Sequence, residues 1–189
     1  APHTNPIRRE NLKRLSGAYW WVVGIGAVFA LARFSEAFLV LRAQQGGIPI
    51  AYVPLVMAGM NLVYSGSAYP FGRLSDQMSP GTLLGLGLMV LIASDLVLAS
   101  GDHLAAVAVG VFLWGLHMGM TQGLLAKMVA DTVPTDLRGT AYGFFNLVSG
   151  LAMLAASAAA GLLWDHFGPS LTFYGGGEFL VVGVCGGVL

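Results

Sequence analysis

The chain has 189 residues, of which 56% are hydrophobic and 10% charged, nine basic and nine acidic, so that the formal net charge is zero; its mean hydropathy is +0.75. Soluble domains carry about 25% charged residues, so ionised side chains cannot cover a globule of this size and lipid must stand in for water over much of its surface. Zero net charge and scattered basic residues set nucleic acid aside as a partner, and the single cysteine, Cys185, leaves neither a disulfide framework nor a cysteine metal site. No cofactor or metal is implied.

Residues 1–18, rich in Pro, Asn, Arg and Lys, read as a cytoplasmic linker, and residues 19–189 as a transmembrane bundle. A spanning helix needs about 20 mostly apolar residues. Six runs meet that requirement: Tyr19 to Ala43, Ile50 to Gly72, Thr82 to Ser100, Leu104 to Met128, Thr140 to Trp164 and Ser170 to Leu189. The interruptions carry turn chemistry: Gln44-Gln45-Gly46-Gly47-Ile48-Pro49, Ser79-Pro80-Gly81, Gly101-Asp102, Val133-Pro134 and Phe167-Gly168-Pro169. Such short connections predict that successive helices are antiparallel neighbours. The runs are long and continuous, whereas barrel strands alternate over about ten residues, so the chain is expected to be an all-α membrane protein. The first run is too long for a secretory signal and is expected to stay.

Arg8, Arg9, Lys13, Arg14, Arg73, Lys127 and Arg138 fall at the amino end and the second and fourth connections, while Arg42 is the basic residue of the other side. The positive-inside rule then puts the amino end in the cytoplasm. Ala1 in place of methionine, and a last span that runs to Leu189 without a basic anchor, read as part of a larger protein.

Polar groups inside such spans are costly and need a reason. In the first span Arg33 and Glu36 stand three apart, which predicts one helix face shared with Gly26, Phe29 and Val40. They should look inward, and the plain reading of the two is a self-neutralising pair. In the second span Asn61, Tyr64 and Ser65 share a face. In the fourth, Trp114, His117, Thr121 and Leu125 fall on one face, with Gln122 at its flank, and Gly115, Gly119 and Gly123 form a stripe roughly opposite. Small residues every fourth position permit close packing in lipid, so the stripe reads as structural and the His117 face as cavity wall, with His117 either a proton or polar-substrate group or a hydrogen-bonded packing residue. In the fifth span Tyr142, Asn146, Ser149 and Met153 share a face, and the alanine-rich run from Ala155 to Gly161 suits close helix contact. Asp95 is expected to make a structural hydrogen bond, and Glu178 to be peripheral.

The segment Gly72-Arg73-Leu74-Ser75-Asp76-Gln77-Met78-Ser79-Pro80-Gly81 resembles the loop signature of the major facilitator superfamily in its weaker second copy, with Gly72, Leu74 and Asp76 matching. Pro134-Thr135-Asp136-Leu137-Arg138-Gly139-Thr140-Ala141-Tyr142-Gly143 looks like that family's loop before its eleventh helix. The resemblance covers essentially the whole chain. It implies the carboxyl-terminal six-helix half of a twelve-span carrier, built from inverted three-helix repeats, whose partners are a missing amino-terminal half, the bilayer and a small-molecule substrate. It also implies a multi-pass protein of the bacterial inner membrane. The first span becomes the seventh helix, a wall of the central cavity, so Arg33, Glu36, Asn61, Tyr64, His117, Gln122 and Asn146 are the candidate substrate or proton site. The loop motif residues are Gly72, Arg73, Leu74, Asp76, Arg138 and Gly139, with a tight turn at Gly72 and an Asp76–Arg138 pair as a conformational latch.

Secondary active transport, with a proton as the favoured driver, is therefore the leading expectation. A non-transporting scaffold or receptor on the same fold is the alternative. Catalysis is disfavoured, because neither Ser65-Gly66 nor Ser149-Gly150 has the glycine two positions earlier that an intramembrane serine nucleophile needs.

Overall fold

The computed structural model describes residues 14–33, 35–101 and 103–175. Among them there is no strand. The helices are α1 (Gly17–Ala32), α2 (Ala37–Gln45), α3 (Val53–Leu74), α4 (Pro80–Ser100), α5 (Leu104–Thr132) and α6 (Arg138–Phe167), with 3-10 turns at Ile50–Tyr52 and Thr135–Leu137 leading into α3 and α6. Among the described residues five segments are long and apolar enough to cross a membrane: Gly17–Gln45, Ile50–Leu74, Pro80–Ser100, Leu104–Thr132 and Thr135–Phe167. Residues 169–175 begin a further helix. The rest of the expected sixth span, with Glu178 and Cys185, lies outside the described residues.

Local chemistry explains where the helices start and stop. Ser16 and Ser79 are N-caps whose hydroxyls accept from the amides of Tyr19 and Thr82, and Pro80 takes the first-turn position where its missing N–H costs nothing. Gly47 and Gly168 have φ of +88° and +83°, so the chain turns there through backbone that a side chain would strain. The cap at Ser16 also shows that the end of the amino-terminal segment is docked: Leu15 is buried, the Ser16 hydroxyl donates to the Thr132 carbonyl at 3.1 Å, and Arg14 pairs with Asp136 at 3.0 Å.

The helix α5 is the axis of the bundle. It packs along α4 and α3, and it touches α1, α2 and α6, while α6 packs chiefly on α1. The expectation that successive helices are neighbours holds for α4 and α5 but fails for α3 and α4, which do not pack along one another; both lie against α5. The glycines of α5 account for this. A Cβ at Gly115 would sit 2.6 Å from the Met60 carbonyl oxygen of α3, and one at Gly119 would strike the Ser67 hydroxyl and lie 3.1 Å from the Tyr64 carbonyl. Gly123 meets nothing within 4 Å, so only the first two members of the predicted stripe form a contact. On the other flank Gly110 receives Leu98 of α4, whose ring of contact continues through the Ser94 hydroxyl donated to the Gly110 carbonyl at 2.8 Å.

Two apolar clusters result. The larger joins α1, α2, α4 and α5 around Leu39, Leu84, Leu91, Leu98, Val107 and Trp114. The smaller seals one end, where Leu15, Tyr19, Val22 and Val23 meet Val129, Val133, Leu137 and Ala141. The Tyr19 hydroxyl donates to the Ala141 carbonyl at 2.9 Å and the Tyr142 hydroxyl to the Ala126 carbonyl at 2.7 Å, tying α1 to α6 and α6 to α5 above that seal.

Candidate functional site

The first span is not one helix. α1 ends at Ala32 and α2 begins at Ala37, with Arg33, Ser35 and Glu36 outside both, and this breaks the expectation that Arg33, Glu36 and Val40 share a face. The charges now have a local reason. Arg33 is the C-cap of α1, at the negative pole of that helix, and Glu36 is the N-cap of α2, at its positive pole; each charge complements the backbone dipole it ends. The interruption is held from α6, where the Ser157 hydroxyl accepts the Ser35 amide at 3.1 Å. Among the described residues the two side chains form no ion pair within 4 Å, although the Glu36 charge still acts on Arg33 at longer range.

Arg33 faces an open-sided cavity of about 480 Å³ walled by α1, α5 and α6. From α1 come Gly26, Phe29, Ala30 and Arg33; from α5 come His117, Thr121, Gln122, Leu125 and Ala126; from α6 come Tyr142, Phe145, Asn146, Ser149, Gly150 and Met153. Four of the seven expected site residues therefore meet here: Arg33, His117, Gln122 and Asn146. Tyr64 joins from α3 by donating its hydroxyl to the Gln122 side-chain oxygen at 3.4 Å. Glu36 and Asn61 are not part of the wall. Asn61 is exposed on α3 and returns its amide to the Met57 carbonyl of its own helix at 2.8 Å.

His117 falls at the middle of α5 and is 1% exposed. Its Nδ1 lies 2.8 Å from the Gly87 carbonyl of α4, and a carbonyl only accepts, so Nδ1 carries the proton and Nε2 keeps a lone pair. The ring stacks on Phe29, centroids 6.2 Å apart and planes 6° from parallel. Trp114, expected on the same face, is fully buried in the core instead. On α6, the Ser149 hydroxyl is buried and has no hydrogen-bond partner among the described residues.

Phe145 was not singled out by the sequence, although it lines the cavity. Its ring edge occupies the space a Cβ at Gly26 would need. The signal was present as a pair: a glycine on the Arg33 face of α1, and an aromatic residue beside Asn146.

Away from the cavity three expectations change. Both Asp95 carboxylate oxygens are buried without a partner among the described residues, so the expected structural hydrogen bond is absent. An unpaired buried polar group costs about 1–3 kcal/mol. Asp95→Val is accordingly expected to raise the thermal stability of the full-length protein in detergent, and a lower melting temperature would show that the carboxyl has a stabilising role after all. Gly72 lies within the last turns of α3 with open space around it, so it makes no close approach. Asp76 pairs with Lys127 of α5 rather than with Arg138, which is exposed at the start of α6. Ser75 closes the same turn by donating to the Gly72 carbonyl at 2.7 Å, and Arg73 and Leu74 end the helix.

Residues 22–189 match the family described as the Major Facilitator Superfamily. An uncharacterized MFS-type transporter of Methanocaldococcus jannaschii is 32% identical over 96% of this chain and 47% of its own length. A lysosomal dipeptide transporter, MFSD1 of Gallus gallus, is 29% identical over 77% of this chain and 30% of its own. In fold, the chain superposes on the crystal structure of the POT-family transporter PepTSo with a TM-score of 0.68 at 18% identity, covering 89% of this chain and 36% of that one. The chain thus spans about half, or less, of the length of these relatives.

Proposed function

Because the chain belongs to the major facilitator superfamily and is an integral, multi-pass membrane protein, we propose that it is one six-helix half, with inverted three-helix repeats, of a secondary transporter that moves a small solute by alternating access. The observation that carries this reading is the cavity: a cation and a histidine at mid-span, in a space walled by three helices. A passive scaffold has no use for groups that cost several kcal/mol to place there.

The uneven burial of the spans supports the missing half. The most apolar stretches of α3 and α6 are only 11% and 6% buried, against 50–56% for the three other spans. Those two helices present the surfaces a second bundle would cover, and the alanine-rich part of α6 lies mostly on that open side, where Ala155, Ala158 and Ala159 are exposed. The Asp76–Lys127 and Arg14–Asp136 pairs are exposed, stand at the end where the basic residues collect and brace this one bundle; that end is read as cytoplasmic.

Proton coupling falls to His117 rather than to Glu36 in this reading. Its Nε2 lone pair belongs to a residue of the cavity wall, whereas Glu36 caps a helix outside it. The test is uptake of radiolabelled amino acids, dipeptides and monocarboxylates into proteoliposomes holding the full-length protein, with and without an inward proton gradient. The gradient is expected to drive accumulation of one class, and His117→Gln to abolish the dependence while leaving counterflow. The transporter reading fails if no class accumulates under either condition.

A further inference from the structure

We propose that the solute bound in this cavity is a small amphipathic monoanion, a monocarboxylate whose carboxylate is held by Arg33 and whose apolar body lies against Phe29, Phe145 and Met153; the proposal rests on reading the cavity as the solute site. Sequence alone gives two hints of opposite sense, a cation for a polar anion and abundant aromatic and methionine residues for an apolar compound. The structure puts both in one wall, so they describe two ends of one molecule.

The electrostatics are one-sided. Arg33 is the charged residue of the cavity wall, and no Asp or Glu lines it. Among the described residues its guanidinium forms no ion pair within 4 Å; Glu36 acts on it only at longer range and is not in the cavity wall. A guanidinium in a cavity wall without a carboxylate beside it there is a fork of donors matched to a planar two-oxygen acceptor. The C-terminal pole of α1 offsets part of its charge, and one anionic charge supplies the rest.

A second, independent group points the same way. The buried Ser149 hydroxyl has no partner among the described residues and belongs to a residue of the wall, which leaves a donor for an incoming acceptor. One cation, one hydroxyl and the Asn146 amide suit a monoanion. A phosphate dianion would bring a second charge with nothing to neutralise it, and a cationic solute would meet only Arg33. Between these polar groups the wall is Phe29, Phe145, Leu125 and Met153, which reward an apolar body.

The test uses the purified full-length protein and three acids, benzoate, phenylacetate and 4-methylpentanoate, each beside its amide and its amine, read as ligand-induced shifts of the melting temperature. At least one acid is expected to shift the transition where its amide and amine do not. Arg33→Gln should weaken that acid at least tenfold, and Arg33→Lys, which keeps the charge and loses the fork, severalfold. The inference is overturned if no acid binds, if an amide binds as tightly as its acid, or if Arg33→Gln and Arg33→Lys, each shown to be folded by its own ligand-free transition, bind the acid like the wild type. Should Arg33→Gln not fold, the Lys variant decides alone. Acid binding without any proteoliposome uptake would sink the transport reading and leave the ligand class standing. Uptake of a neutral or cationic solute that is indifferent to Arg33→Gln would do the reverse.

Discussion

Gly115→Val is expected to destabilise the full-length protein by about 3 kcal/mol or more, the upper range for forcing extra atoms into a packed contact, while Gly123→Val changes little. The difference lies in what the new side chain meets. At Gly115 the obstacle is the Met60 carbonyl oxygen, 2.6 Å from the added Cβ, with the Val63 Cβ at 3.1 Å. Met60 is itself fully buried, so that backbone cannot step aside without carrying α3 with it. In lipid no hydrophobic gain holds two apolar helices together, and contact depends on how closely their backbones approach. Thermal unfolding followed by size-exclusion chromatography in detergent measures the effect. Equal losses at positions 115 and 123 would mean that the α3–α5 contact is not what these glycines serve. Gly119→Ala should fall between the two, since part of its obstacle is the Ser67 hydroxyl, a side chain that can rotate away.

The stripe shows how far the sequence was legible. Span ends come out within a few residues, because length in lipid and turn chemistry fix them: the run expected from Thr82 to Ser100 is the helix Pro80–Ser100, and that from Thr140 to Trp164 is Arg138–Phe167. Faces are harder. A spanning helix is apolar all round, so periodicity of hydrophobic residues cannot say which side looks inward, and the inner side of α4 is betrayed instead by Gly87, Ser94 and Asp95 among its leucines. Histidine, glycine and serine spacing placed His117, Asn146 and Ser149 on cavity-facing sides for the same reason.

The break in the first span was not legible. Residues 33–36 contain neither glycine nor proline, and the group that holds them open, Ser157, stands on another helix 122 residues later. An unbroken helix would set Arg33 and Glu36 on one face; the break leaves Arg33 in the cavity wall and Glu36 outside it. The loop signature misled in a smaller way. Asp76 was rightly expected to meet a basic residue of another helix, but Lys127, counted only as an orientation marker, was nearer in space than Arg138.

Arg42 makes the same point with a larger expected effect. Counted in the sequence as a lone positive charge on the far side, it is 4% exposed and works as a bracket. Its Nε donates to the Leu98 carbonyl and its Nη2 to the Gly101 carbonyl, both at 2.8 Å, and Nη1 reaches the Gln45 side-chain oxygen at 3.3 Å. These carbonyls belong to the C-terminal end of α4, where the helix leaves acceptors unpaired and negative potential accumulates. A cation from α2 satisfies them and fixes α2, with its buried Leu39 and Ala43, against the α4–α5 pair. Arg42→Met keeps the length of the side chain and removes the donors, leaving two buried carbonyls unpaired at about 1–3 kcal/mol each. The expected loss is therefore about 2–6 kcal/mol, with Arg42→Lys intermediate because one ammonium cannot reach both carbonyls in the geometry of the fork. Acid binding at Arg33 should persist in whatever fraction remains folded, since Arg42 takes no part in the cavity wall. If Arg42→Met melts with the wild type, the end of α4 finds other donors and α2 is held by its apolar contacts alone.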